Sequence, residues 1–242
     1  MKAARAGAKV LLIESSCSLG GMGTSGLVPC WCPFSDKEKI IYRGLAETVF
    51  ERSKALSLHV GKEDLDWVPL DPEGLKRIYD GLMEEFGVTA LFGTSLCEVD
   101  AEDGTVRAII VSNKSGLTAY SAKVYVDGTG DGDLAVWAGA DYEFGEDGGE
   151  PMPSTLCFIL TNVDIYAYLY GPNYGKAQGS MHPNNPGSFA HKLPDDPRFP
   201  DIVDTHLCSN IIGPGAIGFN AGHVFGVDST DPQSVSAAMA KG

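Results

Sequence analysis

Apolar and polar positions along the chain follow two regimes that part near Gly145. In the first, short apolar runs alternate with segments of helical period and with glycine-rich turns. Ala3 to Lys9 is alanine-rich and contains Gly7, which suits the last turn of a helix and the left-handed residue that closes it. Val10-Leu11-Leu12-Ile13 follows as an unbroken apolar run, the pattern of a parallel strand covered on both faces, with Glu14 at its carboxyl end. Helix, glycine, buried strand and acid together predict the second half of a βαβ unit. From Ile40 onward, Ile41, Leu45 and Val49 recur every fourth residue and predict a helix. A second helix carries fuller signals: Asp71 as cap, Pro72 at the first position, Leu75, Ile78, Leu82 and Phe86 as the buried stripe, and Gly87 at the end.

Short strands are predicted next, at Val88 to Phe92, Leu96 to Val99 and Val106 to Val111, the last two joined by the turn pair Asp103-Gly104. A turn at Asn113 to Gly116 leads into Leu117 to Ser121. Lys123 to Asp127 then reads as a buried strand running into Gly128-Thr129-Gly130-Asp131-Gly132-Asp133, with a helix at Leu134 to Ala138. Beyond Gly145, prolines and glycines thicken (Gly148, Gly149, Pro151, Pro153, Pro172, Pro183, Pro186, Pro194, Pro197, Pro200), which predicts a loop-rich lobe. Within it Thr155 to Thr161 reads as a strand, Ile211 to Val227 as returning strands, and Asp231-Pro232 as the opening of a last helix, Gln233 to Ala240. No internal repeat is visible.

The net charge of −14, from 32 acidic and 18 basic side chains, disfavours nucleic acid and anionic bilayers as partners. No apolar run approaches the ~20 residues of a membrane span, and Met1 to Arg5 lacks the apolar core of a signal peptide, so a cytoplasmic location is expected. The six cysteines (Cys17, Cys30, Cys32, Cys97, Cys157, Cys208) show no zinc-site spacing and are expected mainly as small buried hydrophobes, with a redox role as the alternative for Cys30 and Cys32.

Parallel strands gather ligands at their carboxyl ends, which gives two candidate junctions. At the first, the Glu14 carboxylate can accept hydrogen bonds from both hydroxyls of an adenosine ribose; an exposed surface acid is the plain alternative. Nearby, Gly20, Gly21, Gly23 and Gly26 lie among Thr24 and Ser25, a composition that predicts a loop under close backbone approach. At the second junction Gly128 and Gly130 leave backbone open to a ligand, Thr129 offers a hydroxyl, and Asp131 can accept from a polyol. A tight turn braced by aspartates is the alternative there. The run lacks the spaced ligands and terminal Glu of a calcium loop, and no metal site is expected.

Val10 to Glu14, Gly20-Gly21-Met22-Gly23-Thr24-Ser25-Gly26 and Asp127 to Asp133, in that order, resemble the FAD-dependent oxidoreductases of the glutathione-reductase-like flavoprotein superfamily. Trp67-Val68-Pro69 through Leu75 and Gly218-Phe219-Asn220-Ala221-Gly222-His223 also look like that family. The resemblance implies FAD as cofactor, with Glu14 on the adenosine ribose and Gly20, Gly21, Met22, Thr24 and Ser25 lining it. It further implies Cys97 near the adenine through its backbone, and Gly128, Thr129, Gly130 and Asp131 at the pyrophosphate and ribityl region. Asn220 and His223 would lie on the substrate side as catalytic residues; a structural histidine in a glycine-rich strand is the alternative.

The fold expected from this resemblance is α/β: an incomplete Rossmann-like FAD-binding domain over 1–145 with a β-meander and a helical insertion at about 36–70, then a loop-rich α+β substrate or cap domain over 146–242. Incomplete, because the Gly-x-Gly-x-x-Gly turn that opens such domains is not present and the final flavin segment is also expected to be missing. The implied reaction moves a hydride or two electrons between a small organic substrate and FAD, with the substrate and the electron donor or acceptor unspecified. A NAD-dependent dehydrogenase is the alternative, since Glu14 suits that ribose equally well, as is a fragment without catalysis.

Overall fold

In a computed structural model the described residues are 1–32, 34–146, 149–170, 189–204 and 207–242. Pro172, Pro183, Pro186 and Gly148 of the predicted loop-rich lobe lie outside them. The elements, in chain order, are α1 (Lys2–Arg5), β1 (Leu11–Ile13), β2 (Cys30–Trp31), α2 (Leu45–Lys54), β3 (Val68–Pro69), α3 (Pro72–Glu85), β4 (Thr89–Leu91), β5 (Ser95–Glu102), β6 (Thr105–Asn113), β7 (Gly116–Tyr120), α4 (Asp133–Trp137), β8 (Ser154–Leu160), α5 (Ile165–Tyr170), β9 (Leu207–Gly213), β10 (Ala216–Val224) and α6 (Pro232–Lys241). They divide into two compact units, one of residues 1–21 and 76–143, the other of 22–75 and 144–242.

The first unit contains β1 paired in parallel with β4, and the antiparallel meander β5-β6-β7. Its tight turn is the predicted one: Asp103 and Gly104 both have positive φ, 49° and 72°, between paired Glu102 and Thr105, as a two-residue hairpin requires. Val111, on the central strand β6, is wholly enclosed. Gly7 closes α1 at φ 90° as expected. Helix α3 keeps its predicted signals: the Asp71 Oδ1 accepts from Glu73 N at 3.0 Å, Leu75 and Leu82 are buried, and Gly87 follows at φ 63°.

Two expectations fail in this unit. Strand β1 is not covered on both faces, for among the described residues it pairs only with β4, and Leu11 is 41% exposed. Lys123 to Asp127 is not a buried strand: no strand is assigned there, and Val124 and Val126 are 76% and 83% exposed. An extended segment with no neighbouring strand has neither ladder bonds nor a surface on which to lay its apolar residues. What anchors it is Tyr125, whose hydroxyl donates to Arg107 O and accepts from Ala122 N, each at 2.8 Å.

The second unit holds the antiparallel sheet β8-β10-β9 and the small β2-β3 ladder. A core of Phe34, Ile40, Phe50 and Val68, with Trp31 against it, is organised by rings: Phe34 and Phe50 stack with centroids 4.4 Å apart, and Trp31 meets Phe34 edge-on at 5.4 Å. Lys54 is buried at the end of α2, where its Nζ donates to the carbonyls of Lys62 and Asp64, both at 2.5 Å. The helix predicted from Ile40 begins only at Leu45. Gly44, at φ 76°, breaks the run, while Ile40 bridges to Ser35 and Ile41 stays 55% exposed. Asp231 caps α6 as expected, accepting from Gln233 N at 2.9 Å.

Candidate functional site

The carboxyl end of β1 is held by backbone bonds that continue its pairing: Glu14 N donates to Leu91 O at 2.9 Å and Glu14 O accepts from Thr94 N at 3.0 Å. The half-buried Glu14 carboxylate turns back on its own loop, with Oε1 accepting from Ser16 N at 2.7 Å. Ser16 O in turn accepts from Gly93 N at 2.9 Å, so the loop after β1 is stapled to the loop after β4. It ends at Gly20 and Gly21, both exposed, with φ 106° and 52°, and the position a Gly21 Cβ would take is open space.

Met22, Thr24 and Ser25 continue the chain in the second unit. Met22 is 73% exposed and Ser25 exposed, whereas Thr24 is entirely enclosed, so its part is to anchor the loop from within. At Gly26 the expected close approach is the chain's approach to itself. A Cβ on Gly26 would stand 2.8 Å from Met22 Cα, where Val28 N also donates to Met22 O at 2.9 Å.

In the first unit the second glycine loop is organised by a residue that the sequence reading left without a role. Asp127 Oδ1 accepts from Thr129 N at 2.9 Å and Thr129 Oγ1 at 2.8 Å, and its Oδ2 accepts from Ala135 N, in α4, at 3.0 Å. Burial opposes ionisation of Asp127, but the hydrogen bonds from Thr129, Ala135 and Leu134 outweigh it and hold the carboxyl below the usual carboxylate range. The Thr129 hydroxyl is thus engaged inside the loop, accepting from Asp133 N at 2.9 Å as well as donating to Asp127. Gly128, Gly130 and Asp131 are exposed, and no atom lies within 4 Å of a Cβ placed on either glycine. Cys97 sits in β5 where the register to β6 slips between Leu96 and Glu98, a bulge that interrupts the ladder at this residue. It is exposed, and its thiol donates to Ser95 O at 3.5 Å.

In the second unit, β10 carries the Gly-Phe-Asn-Ala-Gly-His segment. A register shift between Ala221 and His223, with Gly222 at φ 76°, re-aims the strand at His223. His223 Nδ1 is hydrogen-bonded to Asp204 Oδ2. Both line a cavity of about 310 Å³ whose walls are otherwise largely apolar, including Leu156, Phe158, Leu193, Ile202 and Val224. Asn220 does not line it; its Oδ1 is buried with no hydrogen-bond partner among the described residues. Asp204 escaped sequence reading because an aspartate in a proline-rich loop has no spacing that ties it to a histidine 19 positions on.

The cysteines depart from expectation. Cys17, Cys32 and Cys97 are exposed, and only Cys30 is fully buried. An exposed thiol lies on a loop or sheet surface where its size matters little, so composition alone does not place it. Among the described residues there is no His/Cys/Asp/Glu group fit to hold a metal, and no helix is long and apolar enough to cross a membrane.

A family model described as FAD dependent oxidoreductase matches residues 1–241. No curated protein matches the chain significantly. Among solved structures the chain is similar to Thermovibrio ammonificans THI4 (16% identity, 55% of this chain and 52% of that one, TM-score 0.38). It is similar also to aklavinone-11 hydroxylase in complex with FAD and aklavinone (18%, 49% and 28%, TM-score 0.27). A third is CabE, an aromatic hydroxylase from angucycline biosynthesis (14%, 98% and 44%, TM-score 0.44). The chain thus spans about half or less of the length of each.

Proposed function

This chain belongs to the FAD dependent oxidoreductase family, and from that premise we propose that it serves a flavoenzyme that oxidises or reduces a small organic substrate by two electrons. Support for FAD comes from the first unit. Gly21, Gly128 and Gly130 are exposed and leave open space where a Cβ would stand, so their backbone is accessible to a phosphate-bearing ligand. Glu14 supplies a carboxylate at the end of a parallel strand, where a ribose is commonly held. In this reading Glu14, Gly20, Gly21, Cys97 and Gly128 to Asp131 hold the cofactor, with Thr129 acting through the loop that it braces. When bound, FAD supplies the hydride acceptor or donor.

The observation that carries the substrate half is the His223–Asp204 pair on a largely apolar cavity of about 310 Å³. Such a cavity is at the small end of ligand pockets, about 300–1,000 Å³, and suits a compact molecule with an apolar body and one polar X–H group. Asp204 orients His223 through Nδ1, and the imidazole is the group on this wall that exchanges a proton with such a ligand. Asn220, lying outside this cavity, has no part in this step.

The test uses the complete gene product carrying this sequence, loaded with FAD and kept anaerobic, against a panel of small alcohols, amines and phenols. Compounds that bleach the flavin are then tried on His223→Gln. The expected outcome is bleaching slower by about 10²–10⁴-fold with flavin content unchanged. Equal rates in the variant for every active compound contradict the role of His223.

A further inference from the structure

One face of the β8-β10-β9 sheet lies apart from the cavity chemistry and carries sulfur. Cys157 of β8 and Cys208 of β9 both stand directly opposite Asn220 of β10, so the three form a row across the sheet. Residues directly opposite one another share a face, and Gly218, two positions before Asn220, shares it too. A Cβ on Gly218 would lie 2.6 Å from Pro29 Cβ, so the glycine lets the strand that begins at Cys30 lie directly on this face. Cys30, 8% exposed, follows Pro29 directly and is brought onto this face on the side of Cys208, whose sulfur influences its ionisation. Asn210 Nδ2 donates to the same sulfur at 3.7 Å.

We propose that Cys30 and Cys208 form a redox-active thiol pair, in which Cys208 attacks a low-molecular-weight disulfide and Cys30 resolves the adduct into an intramolecular disulfide.

The division of labour follows from exposure: Cys30 is buried while Cys208 is only partly so, and Cys208 is the sulfur that an incoming disulfide reaches first. Donation from Cys30 favours the Cys208 thiolate against its burial, with Asn210 adding to it, and so holds Cys208 below the ordinary thiol range. The same bond to Cys208, followed by burial, pushes Cys30 up. The thiolate is the nucleophile, and the protonated neighbour in contact is the group placed to resolve. Cys157, raised by its burial, stays a thiol in the row. All six cysteines are outside disulfides here, so the geometry is that of the reduced pair.

The step balances as thiol–disulfide exchange. The Cys208 thiolate displaces one thiolate from RSSR and forms a mixed disulfide. Cys30 then loses its proton to the departing thiolate and attacks the Cys208 sulfur, expelling the second thiolate, which takes up the remaining proton. The two protein thiols are oxidised by two electrons in all, and RSSR is reduced to two RSH.

The experiment treats this chain with oxidised glutathione, traps remaining thiols by alkylation and maps the digested peptides by mass spectrometry. The expected result is a peptide joining Cys30 to Cys208. Cys30→Ser should stop at a stable glutathione adduct on Cys208, and Cys208→Ser should leave Cys30 alkylated as a free thiol. Recovery of both cysteines alkylated in the unmodified chain overturns the proposal without recourse to any variant. So does a Cys30 that is oxidised equally well in Cys208→Ser.

Discussion

Replacing Asp127 by alanine removes the acceptor for three hydrogen bonds, from Thr129 N, Thr129 Oγ1 and Ala135 N at 2.8–3.0 Å, that tie the second glycine loop to the start of α4. A bond to a charged acceptor contributes about 1.5–3 kcal/mol when dry, and solvent screening brings each of these well below that, so the three together are worth about 2 kcal/mol. At about 1.4 kcal/mol per tenfold, this corresponds to a roughly 30-fold faster local opening. Hydrogen–deuterium exchange over residues 128–138 reads it directly, since Thr129, Asp133 and Ala135 donate their amides within this arrangement. The acid dependence has a fixed sign. Hydrogen bonds outweigh burial and hold the Asp127 carboxyl below its ordinary value, so its stabilisation is full above the unfolded value, about 3.9, and is lost as pH falls through the lower folded value. The difference between the unmodified chain and Asp127→Ala should therefore narrow as pH falls below the unfolded value. Exchange unchanged in the variant at neutral pH, or a difference that widens in acid, refutes the reasoning.

Two further substitutions probe the second unit. Phe50→Ala removes a ring that is 0% exposed and stacked on Phe34 at 4.4 Å, and urea denaturation should show a loss of about 3–5 kcal/mol. A loss below about 1 kcal/mol would show that this ring cluster is not a core. Gly26→Ala places a methyl 2.8 Å from Met22 Cα, a backbone atom that cannot step aside, and should lower stability by about 1–3 kcal/mol in the same assay. An unchanged midpoint would place the loop closure elsewhere.

Much of the local structure was legible because its causes are local. Asp71-Pro72 and Asp231-Pro232 start helices by chemistry contained in the dipeptide and the next two residues, and Asp103-Gly104 turns a hairpin with its own positive φ angles. The errors arose where neighbours decide. Ile40 and Ile41 have a helical spacing, yet Gly44 and the bridge from Ile40 to Ser35 put them outside α2. Val124 and Val126 have a strand composition but no strand beside them among the described residues. At the candidate sites, glycine loops announce themselves, whereas the partners that give a site its chemistry do not. Asp204 meets His223 from a loop 19 positions away, and the strand that carries Cys30 reaches the face of Cys208 because Gly218 has no side chain.

The proposed placement of FAD with Glu14 at the ribose is open to titration of FAD into the apo form of the complete gene product and into its Glu14→Ala variant, following flavin fluorescence. The expected result is saturable binding of one FAD per chain, weakened by about 10–100-fold in the variant, the value of a hydrogen bond to a charged acceptor. A protein that takes up no FAD contradicts the cofactor assignment, and equal affinity in the variant contradicts the place given to Glu14.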